Sequence, residues 1–352
     1  MQFVRNCWYV ASWSNDVEAG KLFPRILLNE GIVLFRDDDG RIQAIEDRCP
    51  HRHAPLHMGT LIDGGRIRCG YHGLEFDGSG HCVRNPHASG RISPAAKVRA
   101  YPVLEKHSLI WIWMGDKPAD PDAIPDFSLL DGSHEISRRD YILMRANYAL
   151  VVDNLMDLSH AAFLHDGILG SKETIQAEYE VTQEGNQITV ARQCSNVPVP
   201  GLFDLMFKRD GGHVDLWADI RWDVPGCLMN DTGVTSPGAP RDQGTGIYGM
   251  HFLTPETETS CHYHFVAARQ NPINWGEPVD SEIRTKISDL RRFAFEFQDK
   301  AMIEAQQQLL SRSAAVPPFV LLETDAGTAR YRRVLESLIA AEREAAFAQG
   351  RS

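Results

Sequence analysis

Cys49-Pro50-His51-Arg52-His53-Ala54-Pro55-Leu56 is followed by Cys69-Gly70-Tyr71-His72-Gly73-Leu74, with seventeen residues between His51 and Cys69. Each stretch offers one thiolate and one imidazole, as C-x-H in the first and C-x2-H in the second. Two sulfur and two nitrogen donors can hold a tetrahedral zinc, or a [2Fe–2S] cluster in which two histidines ligate one iron. The spacing favours the cluster. Zinc loops commonly pair like ligands, whereas here each loop can give its cysteine to one iron and its histidine to the other. Glycines and aromatics in the second loop let the backbone approach the cluster sulfides and shield them. His53 and His57 read as surface or supporting histidines, because Cys49, His51, Cys69 and His72 complete the set.

Around these loops the sequence is strand-like. ILLNEGIVLFR (26–36) and RIQAIE (41–46) flank Asp37-Asp38-Asp39-Gly40, and GLEF (73–76) and HCV (81–83) flank Asp77-Gly78-Ser79-Gly80, which are hairpin signals. Leu109 to Trp113 is a further strand. KPADPDAIPDF (117–127), with prolines at 118, 121 and 125, reads as a linker. A chain of 352 residues has room for two cores, so one domain over 1–116 and another over 117–352 are expected.

Composition narrows the partners. With 43% hydrophobic and 24% charged residues, no apolar run approaches the roughly 18 residues of a spanning helix. The start, MQFVRNCWYVASWSND, reaches Asn-Asp before a signal core could form, so a cytoplasmic location is expected. Seven scattered cysteines make a poor disulfide framework and fit a reducing compartment. A net charge of −11 disfavours nucleic acid and anionic membranes. Arg330, Arg332 and Arg333 read as a solvated helix face.

Beyond the linker, ANYALVVDNLMDLSHAAFLH (146–165) lacks glycine and proline and stops before Gly167, as one helix would. EYEVTQ, QITVAR, DIRWDV, GCLMNDTGV, IYGMHFLT and CHYHFVAA, from about 175 to 270, read as strands of one antiparallel sheet. Ile283, Ile287, Leu290, Phe293, Phe297 and Ala301 then recur at helical spacing. Pro317-Pro318 separates that helix from a last one at 327–348.

Together with the two loops, FVRNCWYVA (3–11), NLMDLSHAAFLH (154–165) and DAGTARYRRVLESLIAAE (325–342) resemble the Rieske non-haem iron oxygenases. The likeness runs over nearly the whole chain, toward the vanillate and dicamba O-demethylase oxygenase components. It implies an α+β fold: an N-terminal all-β Rieske domain, and a catalytic domain whose antiparallel sheet, packed by helices in a helix-grip-like way, cradles a mononuclear Fe(II).

Such an iron is typically held by two histidines and one carboxylate. Asn154, Asp157, His160 and His165 crowd one expected helix, where His160 and His165 would point about 140° apart. The helix must widen, break or fray to bring them to one ion. Glu296, Asp299 and Glu304 all offer the carboxylate; Asp299 shares an inward line with Phe295, Met302 and Ile303, and the resemblance also selects it. His262 and His264 form an H-x-H for which packing is the expected role. Asp157, three residues before His160, could accept a hydrogen bond from its ring. Asn154 and Asp157 are the catalytic candidates.

The resemblance implies more. Asp157 would link the iron histidine to the partner subunit's His72 in a closed homotrimer. Electrons would come from a reductase or ferredoxin fed by NAD(P)H, and dioxygen would be spent on O-demethylating a methoxylated aromatic acid with release of formaldehyde. Methyl or ring hydroxylation of an aromatic acid or sulfonate is the second reading. A non-enzymatic electron carrier or zinc module is the third. Asn230 and His251 match positions that contact the substrate carboxylate, and His251 shares a strand face with Ile247, Gly249 and Leu253. Thr285 stands where a pocket aromatic is expected, and 167–174 diverges from the pattern.

Overall fold

Turn chemistry cuts the first hundred residues into short strands. They are β1 (Trp8–Trp13), β2 (Phe23–Leu27), β3 (Glu30–Arg36), β4 (Ile42–Glu46), β5 (Thr60–Ile62), β6 (Arg66–Arg68), β7 (Glu75–Phe76), β8 (Cys82–Arg84), β9 (Val103–Lys106) and β10 (Leu109–Trp113). These form three antiparallel sheets, ordered β1-β10-β9, β2-β3-β4 and β5-β6-β7-β8. Both expected hairpins are present, with Arg36 opposite Ile42 and Phe76 opposite Cys82. ILLNEGIVLFR, however, is not one strand. Leu28 and Asn29 adopt φ of 51° and 66°, a two-residue turn with Leu27 opposite Glu30. Two left-handed residues match the right-handed twist of the flanking strands, and the apolar Leu28 concealed the turn.

The computed structural model describes residues 3–132, 137–313, 315 and 318–348. The chain divides into one unit of residues 1–124 with 254–258 and another of 125–253 with 259–352. The division falls inside the proline-bearing stretch. In the first unit, Val33, Phe35, Ile45, Ile67 and Phe76 pack with Cys49 and Cys69, so the two thiols belong to the core itself.

The second unit carries β11 (Asp140–Met144), α1 (Tyr148–Met156), β12 (Glu178–Glu184), β13 (Gln187–Pro198), α2 (Gly201–Met206), β14 (His213–Asp223), β15 (Cys227–Thr235), β16 (Thr245–Thr257, as far as Leu253) and β17 (Ser260–Gln270). The helices α3 (Val279–Arg292), α4 (Lys300–Arg312) and α5 (Ala326–Ala348) follow. The sheet order is β11-β17-β16-β15-β14-β13-β12, a meander closed at one edge by β11. Sequence reasoning did not single out β11. It is five residues long, and only its pairing with β17, from Asp140–Phe265 to Met144–Cys261, makes it a strand.

Two expected helices are interrupted. The first ends at Met156, because Asp157 is extended (φ −104°, ψ 91°) and its carboxylate caps a 3-10 turn, Leu158–Ala162, by accepting from Ser159 N at 2.9 Å. The second contains a π-helical segment, Phe293–Asp299, between α3 and α4. Its wider turns change the buried face. Ile283, Ile287, Arg291, Phe295, Asp299 and Ile303 are buried at four-residue intervals, whereas Phe293, Phe297 and Met302 are exposed. On an α-helix each four-residue step drifts about 40°; a π turn drifts back and keeps Asp299 inward.

Of the basic run of α5, Arg333 is exposed as expected, but Arg330 and Arg332 are half-buried and bonded. Arg332 pairs with Asp153 on α1, Arg330 Nη1 donates to Val181 O at 2.9 Å, and buried Tyr331 donates to Ala149 O at 2.9 Å. The last helix thus clamps the first. Pro317, of the expected Pro317-Pro318 break, lies outside the described residues. Among those described, no helix is long and apolar enough to cross a membrane.

Candidate metal centres and substrate cavity

The two Cys/His loops share one backbone pattern. Cys49 N donates to Ala54 O and Cys49 O accepts from His53 N, both at 2.8 Å; Cys69 N donates to Leu74 O at 2.8 Å and Cys69 O accepts from Gly73 N at 2.9 Å. Both turns need a left-handed residue at the fourth position, supplied by His53 (φ 57°) and Gly73 (φ 73°). His53 is therefore a turn residue. His57 Nδ1 is engaged by the Asp47 carboxylate. Neither joins the four donors.

Folding the loops together sorts those donors by element. Cys49 and Cys69 are buried side by side; burial first, then the neighbouring Cys69, pushes the Cys49 thiol up to about 11. The His51 and His72 rings lie 4.5 Å apart on the more open side. Two sulfurs inside and two imidazoles outside fit a [2Fe–2S] cluster in which a pair of cysteines holds one iron and a pair of histidines holds the other. His87, not singled out in the sequence, sets its Nε2 2.7 Å from His72 O.

The break at Asp157 resolves the 140° problem. His160 and His165 turn toward each other, with Nε2 atoms 3.3 Å apart and 3.6 and 3.1 Å from Asp299 Oδ1. Among the described residues these three form the group whose donor atoms could hold a metal, all within 4.8 Å. The chemistry fits two imidazoles and a carboxylate around iron. Glu296 is taken by Arg292 Nε at 2.6 Å, and Glu304 Oε1 accepts from Arg145 N at 2.8 Å, so neither competes with Asp299.

The supporting contacts fix the tautomers. His165 Nδ1 lies 2.8 Å from Gln298 Oε1, while Gln298 Nε2 donates to Leu164 O at 2.7 Å. His160 Nδ1 is held by the backbone carbonyl of Asp157, not by its carboxylate as the three-residue spacing suggested. Each Nδ1–H therefore has a carbonyl to bond, leaving both Nε2 lone pairs free for an ion. Asn154 Nδ2 donates to Asp299 Oδ1 at 3.2 Å. Burial lowers the His160 pKa. At His165 burial is again the largest influence and acts the same way, but the hydrogen bond and negative charge of Asp299, with the hydrogen bond to Gln298, together outweigh it and the net shift is upward.

Next to this triad lies a cavity of about 100 Å³, lined by Asn154, Leu158, Phe203, Ile247 and Phe295 as well as by the triad. Its size compares with the roughly 150 Å³ cavity that takes up benzene. Asn230 and His251 line it, so both expected contact residues point inward. His251 Nδ1 lies 2.8 Å from Tyr263 OH, and burial, aided by Arg291, drives its pKa well below the ordinary value. Thr285 does not reach the cavity; it is exposed on α3 and bonds to Ser281 O. His262 and His264 lie outside the triad; both are buried, and His262 Nδ1 meets Tyr141 OH at 2.9 Å.

Residues 7–102 match the Rieske [2Fe–2S] domain, and residues 144–341 match the vanillate O-demethylase oxygenase C-terminal domain. The chain belongs to the Rieske oxygenase components. It is 39% identical to a toluene-4-sulfonate monooxygenase iron–sulfur subunit of Comamonas testosteroni, over 97% of this chain and 98% of that one. It is 36% identical to the dicamba O-demethylase oxygenase component of Stenotrophomonas maltophilia, over 96% and 98%. A crystal structure of dicamba monooxygenase with non-haem iron and dicamba superposes with a TM-score of 0.80 at 36% identity, covering 98% of this chain and 99% of that one. As a Rieske oxygenase the chain uses a [2Fe–2S] cluster and a mononuclear iron.

Gln298, Arg291 and Tyr263 were not singled out from sequence. Arg291 left a signal, a charge on the line from Ile283 to Asp299. Gln298 left none, since its role depends on the π turn that brings it to His165.

Proposed function

We propose that this Rieske oxygenase O-demethylates a methoxylated aromatic acid. The observation that carries the reading is a single cavity lined both by His160, His165 and Asp299 and by Asn230 and His251. In this assignment Cys49, His51, Cys69 and His72, in a domain over 1–116, hold the cluster. His160, His165 and Asp299, in a domain over 117–352, hold the iron. When bound and reduced, the iron supplies dioxygen activation for insertion into a C–H bond.

The chain's residues do the positioning. Asp157 O and Gln298 Oε1 orient the two imidazoles, and Asn154 steadies the Asp299 carboxylate. Asn230 and His251 hold the acid group, which aims the methoxy carbon at the triad, while Leu158, Phe203 and Ile247 keep water out. The methoxy arene, dioxygen, two electrons and two protons yield a hemiacetal and water; the hemiacetal collapses to formaldehyde and a phenol.

Electrons arrive from a reductase or ferredoxin that draws on NAD(P)H. The working form is a homotrimer in which Asp157 links the iron histidine to the partner subunit's His72. Exposed Phe163, Met302 and Phe319, which share a groove with Asp157, support an interface there. Seven buried cysteines, none of them in a disulfide, support a reducing, cytoplasmic setting.

A panel of methoxybenzoates assayed for formaldehyde with the reconstituted system tests the reading, and no release from any member would remove it. Asn230→Ala or His251→Ala should weaken acid binding by about 1 to 3 kcal/mol; unchanged affinity would refute their role. The 39% identity to a toluene-4-sulfonate monooxygenase subunit favours methyl or ring hydroxylation of an aromatic acid or sulfonate as the second reading. Turnover of a methylated arene acid without formaldehyde would put it first.

A further inference from the structure

We propose that Arg291 is the charge-pairing residue of the substrate cavity, so that the enzyme takes aromatic oxyanions, carboxylates or sulfonates, over their neutral counterparts. This rests on the cavity being the substrate site. Arg291 lines it and is 3% exposed. Its hydrogen bonds go to neutral acceptors, from Nη1 to Ser137 Oγ at 3.3 Å and from Nη2 to Val266 O at 3.1 Å. The guanidinium carbon lies 5.6 and 5.5 Å from the Phe265 and Phe295 ring centres. Among the described residues no carboxylate is within ion-pair distance of it. Asp140, which acts on it from further away, is itself bound by Arg138 at 2.9 Å and Arg292 at 3.2 Å.

A buried cation without an anion is costly, and the group remains charged. Burial lowers its pKa only to about 10. Gly249 marks where the polar groups of the cavity converge. A Cβ there would lie 3.2 Å from His251 Nε2, 3.6 Å from Asn230 Cβ and 3.9 Å from Arg291 Nη2. The missing side chain leaves a hollow on which groups from β15, β16 and α3 converge. With Tyr263 OH donating to Nδ1, His251 presents Nε2–H to that hollow. Asn230 Oδ1 is a buried acceptor without a partner, and turning the amide over puts its Nδ2 donor in that place. A neutral histidine and an asparagine bring donors but no charge. Of the two buried guanidinium groups that line the cavity, Arg192 and Arg291, it is Arg291 whose Nη2 approaches Gly249 and brings charge to this hollow.

The test is titration calorimetry on the holoenzyme with 3-methoxybenzoate, 3-methoxybenzenesulfonate and 3-methoxybenzamide, against wild type, Arg291→Met and Arg291→Lys. Wild type should bind the anions at least about 30-fold more tightly than the amide. Arg291→Met should lose about 10- to 100-fold on the anions and change little on the amide; Arg291→Lys, which keeps the charge, should recover part of the preference. Where Arg291→Met does not fold, Arg291→Gln replaces it. Loss on both anions supports a general oxyanion site, and loss on one alone narrows it to that class. An acid-to-amide ratio unchanged by removing the charge, or a wild type that binds the amide as tightly, overturns the proposal. Formaldehyde in the same samples reads the chemistry separately: an Arg291-dependent preference without formaldehyde keeps this proposal and removes O-demethylation.

Discussion

The two metal centres are built in opposite ways. The Cys/His loops place four donors between residues 49 and 72, and each loop closes through its own backbone bonds around a left-handed residue. The candidate His/His/Asp centre draws on residues 160, 165 and 299, which meet because one helix breaks at Asp157 and another widens at Phe293–Asp299. A site made of local turns carries its geometry in its spacing. A site made of distant elements depends on irregularities that have no spacing of their own.

The strongest way to break this comparison is to show that the centres are not independent. Cys69→Ser should abolish the cluster's visible absorption and its reduced EPR signal, because a hydroxyl replaces a thiolate poorly, and it should leave iron at the triad. His160→Ala should do the reverse, keeping the Rieske spectrum while losing the third iron and turnover. Iron and sulfide analysis of the two variants checks both. Joint loss of the two centres in either variant would contradict separate sites.

Asp157→Asn sharpens the comparison at the point where the centres communicate. The backbone carbonyl that holds His160 is untouched and an asparagine oxygen can still cap Ser159 N, so both metals should load. In single turnover the pre-reduced variant should oxidise its cluster about 100-fold or more slowly than wild type with substrate and oxygen present, on the scale of a lost supporting contact. Normal rates would end the linking role. Mixed trimers of Cys69→Ser and His160→Ala chains should recover activity, and no recovery would sink the route between subunits.

The smallest expected effect is at Gln298. Gln298→Leu removes the carbonyl that fixes the His165 tautomer and should weaken iron binding about 10- to 100-fold, with the cluster spectrum unchanged. Iron titration of the apo-protein measures it. Unaltered affinity would mean that packing alone orients His165.

By itself the sequence picked out the four Cys/His donors, the hairpins that carry them, six of the seven strands of the second unit's sheet and the two histidines of the candidate triad. Thiolates and imidazoles at turn spacing, and alternating apolar runs, have few other uses, so their pattern is informative without a structure. The resemblance to known oxygenases was needed to choose Asp299 over Glu296 and Glu304. Tertiary structure alone decided the rest. Within 146–165 the end of the helix at Met156 is marked only by Asp157, whose carboxylate caps Ser159 N two residues on; docking of Arg332 and Tyr331 on α1 is a long-range matter. The periodicity of 283–301 likewise pointed at Phe293 and Phe297, which are exposed; Arg291 on α3 is buried instead, and the π turn keeps Phe295 and Asp299 on the same inward line. A half-turn of helix phase exchanges a solvent face for a cavity wall, and only the packing of that helix against the sheet supplies the energy that selects between them.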